Sequence, residues 1–278
     1  MNSRSVRFSL RQLVSGSSFS RMLPVFLVPV VALVLAAAPA EAWAKHKKKK
    51  KEIPFSIAKM IIEFNSSANE GLGDVGVQVL LDGEPWRSLR IESPNGRTIL
   101  DITASRSLRK QGLTELFFES SEPSLDEVPL EDFLVRFPAG KYEFEGRTIE
   151  GIEIEGEAIL THVIPAGPEI VSPKEGDLVD PKNLVIEWKT VTTTIDGSPD
   201  LTIVAYQVIV ERTDNADHGA APRTFDIKLP AKPGDTQSVQ VPPEFLEADA
   251  EYAVEVLAIE QGGNQTITEG EPFTTTTQ

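Results

Sequence analysis

The sequence contains no cysteine and only three histidines among its 278 residues. The absence of cysteine excludes a disulfide framework, a cysteine-based zinc site and a cysteine nucleophile. A Ser-His-Asp site would need His46, His162 or His218, and no G-x-S-x-G elbow, phosphate-binding loop, dinucleotide fingerprint or H-E-x-x-H motif accompanies them. The sequence therefore predicts no catalytic residue, no metal ligand and no cofactor.

Positive charge is also scarce in the body of the chain. Residues 52–278 hold 41 acidic and 17 basic side chains, a net charge of −24. A surface this acidic repels nucleic acid and anionic membranes, and the basic residues form no stripe. We therefore expect no nucleic-acid partner, and the charge favours cations or basic proteins as partners.

The first 44 residues have the pattern of a secretory signal peptide. Four arginines precede an apolar segment over residues 23–38, and Ala42 and Ala44 each end a small-x-small cleavage pattern. We therefore expect an exported protein, periplasmic or extracellular. The alternative is an uncleaved N-terminal membrane anchor, because residues 22–40 are nearly long enough to span a bilayer.

A Lys-rich tail over residues 45–52 follows, with a basic run that begins at Lys45 and ends at Lys51. Two interpretations stay open: a solvated, flexible tail, or a segment that makes weak contact with an anionic surface. Positive charge at this position opposes export, and we have no physical account of that.

Residues 53–165 alternate between short apolar segments and turn residues, which predicts a β-rich domain of unknown family. Residues 75–102 are predicted to form a three-strand meander with a hairpin turn at Asp82 and Gly83. Ser124 is predicted to cap a helix that includes residues 130–137. A sandwich or barrel would bury the apolar faces of these strands.

A second domain, residues 166–278, is predicted after a short, stiff boundary at residues 165–168. Its strongest signal is the alternating strand from Tyr252 to Ala258, which follows Leu246 and two prolines. A Leu, a corner and then Tyr-x-Val-x-Val is the pattern around the tyrosine corner of sandwich domains.

Leu246 and Tyr252, together with Trp188 and Tyr206 on earlier strands, make this second domain resemble a fibronectin type III domain. The resemblance implies an all-β fold of two tandem β-sandwich-like domains, the second of them fibronectin type III or immunoglobulin-like. It also implies seven strands, the last of which runs as one strand over residues 266–277. The four named residues are expected to hold the fold and to bind no ligand.

Two long polar loops, residues 190–200 and 214–222, depart from the family pattern. Residues 196–200 and 214–218 are each predicted to be either a cation site or plain turn chemistry.

Glutamates also crowd two predicted strands near the end of the first domain. They are Glu143, Glu145, Glu150, Glu153, Glu155 and Glu157. The interpretations are a divalent-cation site or a solvated sheet face. The sheet face is favoured, because alternate side chains on a strand do not converge.

Three functions are compatible with the sequence. The first is an exported, non-enzymatic interaction or structural protein that uses β-sandwich modules for protein binding or spacing, with a protein or cell-surface component as its partner. The second is a carbohydrate- or ligand-binding accessory protein, for which Trp86 is the candidate aromatic platform. The third, ranked last, is a hydrolase with dispersed carboxylates.

Overall fold

Alternating apolar residues form strands along most of the described chain, so the predicted all-β fold class is confirmed. The computed structural model describes residues 52–68, 71–174, 176–213 and 223–277. Lys49–Gln278 forms one compact unit. The predicted signal peptide, the basic run and the loop over 214–222 lie outside the described residues. Within the described ranges, no helix is long and apolar enough to cross a membrane.

The N-terminal half, residues 52–165, is organised around one 19-residue strand, β3. The elements of this half are β1 (Glu52–Pro54), β2 (Ile57–Asn65), β3 (Asp74–Glu92), β4 (Thr98–Thr103), α1 (Arg106–Gln111), β5 (Leu113–Glu119), α2 (Leu130–Arg136), β6 (Gly140–Thr148) and β7 (Glu153–Leu160). The first part of β3 pairs with β2 and β5, and its second part pairs with β6 and β4. The alternating valines of β3 point into the first hydrophobic cluster.

The predicted hairpin at Asp82 and Gly83 is wrong, because β3 continues through both residues. The pairing of β3 shifts in register between Asp82 and Trp86, where its partners change. A Cβ at Gly83 would lie 2.9 Å from Phe55 Cδ1 and 3.0 Å from Ile154 Cδ1. Glycine is therefore present here because a strand crosses close to core side chains, and the chain makes no turn.

The predicted helix start is also wrong in its capping residue. The residue that precedes α2 is Pro129, and no side chain caps the helix. Ser124 instead accepts a hydrogen bond from the backbone N–H of Asp126 at 3.2 Å, which closes a local turn. The Ser124-x-x-Glu127 pattern therefore belongs to a turn that precedes α2, and it does not form the first turn of the helix.

The C-terminal half, residues 166–277, pairs two sheets over a second hydrophobic cluster. Its strands are β8 (Ile170–Ser172), β9 (Leu178–Val179), β10 (Val185–Lys189), β11 (Ile203–Arg212), β12 (Thr224–Pro230), β13 (Thr236–Gln240), β14 (Glu251–Glu260), β15 (Gln265–Glu269) and β16 (Phe273–Thr275). β13, β10 and β8 form one sheet, and β14 pairs with both β11 and β15 in the other.

The single last strand predicted for this half is wrong, because it is divided into β15 and β16. A Cβ at Gly270 would lie 2.7 Å from Val254 Cγ1, so the chain passes too close to β14 for a side chain there. Pro272 lacks the N–H that a continuous ladder would need. β15 and β16 both pair with β14, but on their other sides β16 pairs with β9 and β15 pairs with β2 of the other half.

The four residues expected to hold the fold all lie in the second cluster. The rings of Trp188 and Tyr206 have centroids 5.4 Å apart. The Tyr206 hydroxyl accepts a hydrogen bond from the Val191 N–H at 2.8 Å. The Tyr252 hydroxyl accepts one from the Glu247 N–H at 2.8 Å, immediately after the buried Leu246. The contribution of these four residues to stability stays a prediction.

Candidate functional site at the seam between the two halves

The two halves share one sheet, because β15 pairs in parallel with β2. We call this pairing the seam. The strand order across it is β1-β7-β6-β3-β2-β15-β14-β11-β12. Gln265 lies opposite Glu63, and the Ser66 N–H donates to the Ile267 carbonyl at 2.9 Å. Main-chain hydrogen bonds therefore connect segments about 200 residues apart in the sequence.

A buried asparagine adds side-chain hydrogen bonds to the seam. Asn264 is 2% exposed, and its Oδ1 accepts from the Ile62 N–H at 2.8 Å. Its Nδ2 lies within hydrogen-bond distance of Thr161 O (3.1 Å), Thr161 Oγ1 (3.0 Å) and Val163 O (2.9 Å). The next buried polar residue, Thr266, donates from Oγ1 to the Pro165 carbonyl at 2.6 Å. These bonds satisfy backbone groups that would otherwise be buried without partners.

The long loop over residues 190–200 also takes part in the contact between the halves. The Ile195 N–H donates to Ile164 O at 3.0 Å, and Thr194 forms an isolated β-bridge with Pro165. The Ile195 side chain then packs against the first hydrophobic cluster, which belongs to the other half.

The cation interpretation of residues 196–200 finds no support in these contacts. The carboxyl of Asp196 accepts hydrogen bonds from Thr194 Oγ1 and from the Ser198 N–H, the first of which contributes most to lowering the Asp196 pKa. Hydrogen bonds between an Asp carboxyl and nearby groups of its own loop are typical of a turn, which was the other interpretation of residues 196–200.

Carboxyl groups from both halves gather on the face of the joint sheet that points away from the hydrophobic clusters. We call this the outer face. Ile62 and Phe64 are buried in the first cluster, so Glu63 between them lies on the outer face. Glu63, Glu119 and Glu122 each place a carboxylate oxygen within 4.8 Å of the others.

A glycine makes room for one of these carboxyl groups. Gly76 of β3 lies directly opposite Glu63 of β2. A Cβ at Gly76 would lie 2.8 Å from Glu122 Cγ and 3.3 Å from Glu122 Oε1. The Glu122 side chain therefore covers the position beside Glu63 that a larger residue would fill.

The C-terminal half contributes carboxyl groups to the same face. Glu255 lies between the core residues Val254 and Val256, and Glu269 is directly opposite it on β15. Glu255 Oε2 is buried and has no hydrogen-bond partner among the residues that the structure describes. The Asn65 side-chain amide donates to Glu269 Oε1 at 2.9 Å, so this group of carboxyls is connected across the seam.

The outer face is partly desolvated by its own side chains. Ile209, Leu257 and Ile259 lie on this face and yet are 5%, 4% and 8% exposed. Burial, and then the charge of Lys59 on the other side of the seam, lower the pKa of Lys228 on β12. Charged groups on this face therefore lie in a poorly hydrated environment, which penalises ionisation.

These surroundings raise the pKa of three glutamates. Burial raises the pKa of Glu63 to about 7. Burial, followed by the negative charge of Glu119, raises that of Glu122 to about 8. Burial, followed by the charge of Glu269, raises that of Glu255 to about 8. The outer face therefore holds protons near neutral pH, where ordinary glutamates are ionised.

Of the six glutamates predicted to crowd these strands, Glu143, Glu153 and Glu157 form ion pairs, and two of the pairs cross between β6 and β7. Lys141 Nζ lies 2.6 Å from Glu143 Oε1 and 2.9 Å from Glu157 Oε1, and Arg147 lies 3.1 Å from Glu153. Glu52, Glu153 and Glu155 also place oxygens within 4.8 Å of one another. These contacts fit the solvated sheet face, and we assign no metal ligand to this group or to the outer face.

The candidate aromatic platform is buried in the core. Trp86 is 0% exposed and belongs to the first hydrophobic cluster, so it offers no surface to a sugar. His162 Nε2 lies 2.8 Å from the Phe137 carbonyl, and the other two histidines lie outside the described residues. A cavity of about 410 Å³ contains Asp82 and Glu84 among its lining residues, but Asp82 is already hydrogen-bonded to Ser56 Oγ at 2.9 Å.

No family model and no curated protein matches the chain. A tetra-tandem repeat from the extending region of a large adhesion protein is similar at 12% identity and a TM-score of 0.27, over 78% of this chain and 49% of that one. A bacterial ice-binding adhesin is similar at 11% identity and a TM-score of 0.27, over 82% and 67%. The FN1–FN3 domains of chicken contactin are similar at 10% identity and a TM-score of 0.26, over 80% and 65%.

The chain thus spans about half to two thirds of these structures. TM-scores this low carry no argument about function. The strand pairings described above define the class: an all-β protein in which two hydrophobic clusters lie on one continuous sheet.

Proposed function

We propose that this chain is an exported, non-enzymatic interaction or structural protein in which two joined β-sandwich modules serve as a spacer and docking scaffold. The observation that carries this proposal is the seam. Neighbouring domains of one chain usually move relative to each other unless their contact is extensive. Here parallel main-chain pairing, the buried Asn264 and the inserted Ile195 connect the halves.

The two modules of this proposal are residues 53–165 and residues 166–278. Their separate hydrophobic clusters support that division. The hydrogen bond from the Glu247 N–H to the Tyr252 hydroxyl supports a fibronectin type III-like second module, because it has the geometry of a tyrosine corner. A protein or cell-surface component is the proposed partner, and the net charge of −24 favours a basic one.

Export is supported by the signal-peptide pattern of the first 44 residues. N-terminal sequencing of the chain from its native envelope fraction tests it. Cleavage after Ala42 or Ala44 gives a first residue of Trp43 or Lys45. A chain that still begins at Met1 and pellets with membranes would support the anchor alternative.

Affinity capture from the native envelope tests the interaction role. The purified chain is immobilised, and the same chain after heat unfolding serves as the control. The proposal expects a protein retained only by the folded chain, with binding reproduced by that protein in purified form. Catalytic turnover of a glycan or ester by the purified chain would contradict it, as would selective binding to a glycan array without any protein partner.

A further inference from the structure

The carboxyl groups of the outer face come from every strand around the seam. The N-terminal half supplies Glu63 from β2, Asp74 from β3, and Glu119 and Glu122 from β5 and the segment after it. The C-terminal half supplies Glu211, Asp226, Glu255 and Glu269 from β11, β12, β14 and β15. The cations that face them are Lys59 and Lys228.

The side chains that donate hydrogen bonds to these carboxyl groups are mainly neutral amides. The Gln265 side-chain amide donates to Glu63 across the seam, and the Gln78 amide donates to Glu119 at 2.8 Å. In the part of the chain that the structure describes, no lysine or arginine forms an ion pair with Glu63, Glu119, Glu122 or Glu255. Among the described residues no cationic side chain pairs with these four glutamates, so binding of protons is what relieves their negative charge.

We propose that the seam is a proton-responsive joint, which is held most tightly when carboxyls of the outer face carry protons and is loosened when all of them ionise. The proposal rests on the joined modules of the proposed function. Its geometry is the direct opposition of Glu63 and Gln265, the Glu122 carboxyl over Gly76, and the buried Glu255 oxygen without a partner. Each extra charge placed there repels carboxyls on the other side of the seam.

The direction of the response follows from the protons bound in each state. In the unfolded chain these glutamates titrate near 4.5, whereas burial raises the pKa of Glu63 to about 7 and of Glu255 to about 8. Between these values the folded state binds more protons, so its stability falls as pH rises. The penalty is absent below about pH 4.5 and complete above about pH 8, so acidification tightens the seam.

Hydrogen exchange with mass spectrometry at pH 5.5 and pH 8.5 tests the joint, after correction for the intrinsic pH dependence of exchange. The peptides that report on the seam cover residues 57–65 and 265–269. One pKa unit corresponds to a factor of ten in the equilibrium between states. We therefore expect protection of both peptides to fall by about tenfold or more between the two pH values.

Isosteric variants separate the outer face from other titrating groups. Glu63→Gln and Glu122→Gln should each reduce the pH effect on the seam peptides. Glu115→Gln, which removes a charge from an exposed position of β5, should keep the wild-type response. Equal protection of the seam peptides at both pH values would overturn the proposed proton response, while the proposed joining of the two halves would stand. A response that persists undiminished in both glutamine variants would also overturn it.

The two proposals fail in distinguishable ways. If the seam peptides lack protection at every pH, then the joined modules of the proposed function are wrong. If the peptides are protected equally at both pH values, then only the proton response is wrong.

Discussion

The side-chain carbonyl of Asn264 accepts a 2.8 Å hydrogen bond from the backbone N–H of Ile62, which lies 202 residues earlier in the chain. Ile62 belongs to the core of the N-terminal half, and Asn264 stands at the start of β15 in the C-terminal half. One buried amide therefore fixes the position at which the two halves pair.

Asn264→Ala should lower the free energy of unfolding by on the order of 3 kcal/mol, because it leaves the buried Ile62 N–H and the Thr161 and Val163 carbonyls without their partner. Urea unfolding measures the change. The exposed amide of Gln240 provides a matched control, and Gln240→Ala should stay within about 0.5 kcal/mol of wild type. Equal stability of the two variants would contradict the role assigned to Asn264.

Tyr252→Phe should cost about 1–2 kcal/mol of stability, because the hydroxyl that accepts the Glu247 N–H is lost while the ring stays packed. The same urea experiment measures it. A midpoint equal to that of wild type would show that the corner hydrogen bond contributes nothing.

Trp86→Ala should destabilise the chain by about 3–5 kcal/mol, the usual cost of removing a large buried aromatic side chain. Ile159→Ala, at a position that is 60% exposed, is the control and should stay near wild-type stability. Retained stability in Trp86→Ala together with an altered glycan-array profile would restore the binding-platform interpretation.

Millimolar calcium should leave the melting temperature unchanged. Glu143, Glu153 and Glu157 are already paired with Lys141 and Arg147, and the glutamates of β6 and β7 lie along a sheet face. Thermal unfolding with calcium and with a chelator makes the comparison. A calcium-dependent rise of several degrees that Glu155→Gln abolishes would show that a cation binds there.

Most strands were predictable, because the alternation of apolar and polar residues that marks a strand involves only residues close together in the sequence. β14 follows directly from Tyr252, Val254 and Val256 on one side and the glutamates on the other. Trp188 and Tyr206 could be placed in one core through the resemblance to a fibronectin type III domain, since alternation alone shows only which face of its own strand each residue occupies.

The seam was not predictable from local patterns. Asn264 follows two glycines, a sequence typical of a turn. Thr266 is one polar residue within the predicted last strand, and nothing in the sequence distinguishes it. Parallel pairing with a segment 200 residues away leaves no periodic signal in either strand. The continuation of β3 through Gly83 was missed for a related reason: Asp-Gly is typical of a hairpin, and only the packing of Phe55 and Ile154 explains the glycine here.

The central claim is that the two halves unfold as one body, and the buried tryptophans allow a direct measurement. With Trp43 replaced by phenylalanine, variants that keep only Trp86 or only Trp188 report separately on the N-terminal and C-terminal halves through urea unfolding monitored by fluorescence. We expect Tyr252→Phe, which lies in the C-terminal half, to lower the free energy of unfolding by the same amount in each variant. A shift confined to the Trp188 transition would show that the halves are independent and would contradict the account.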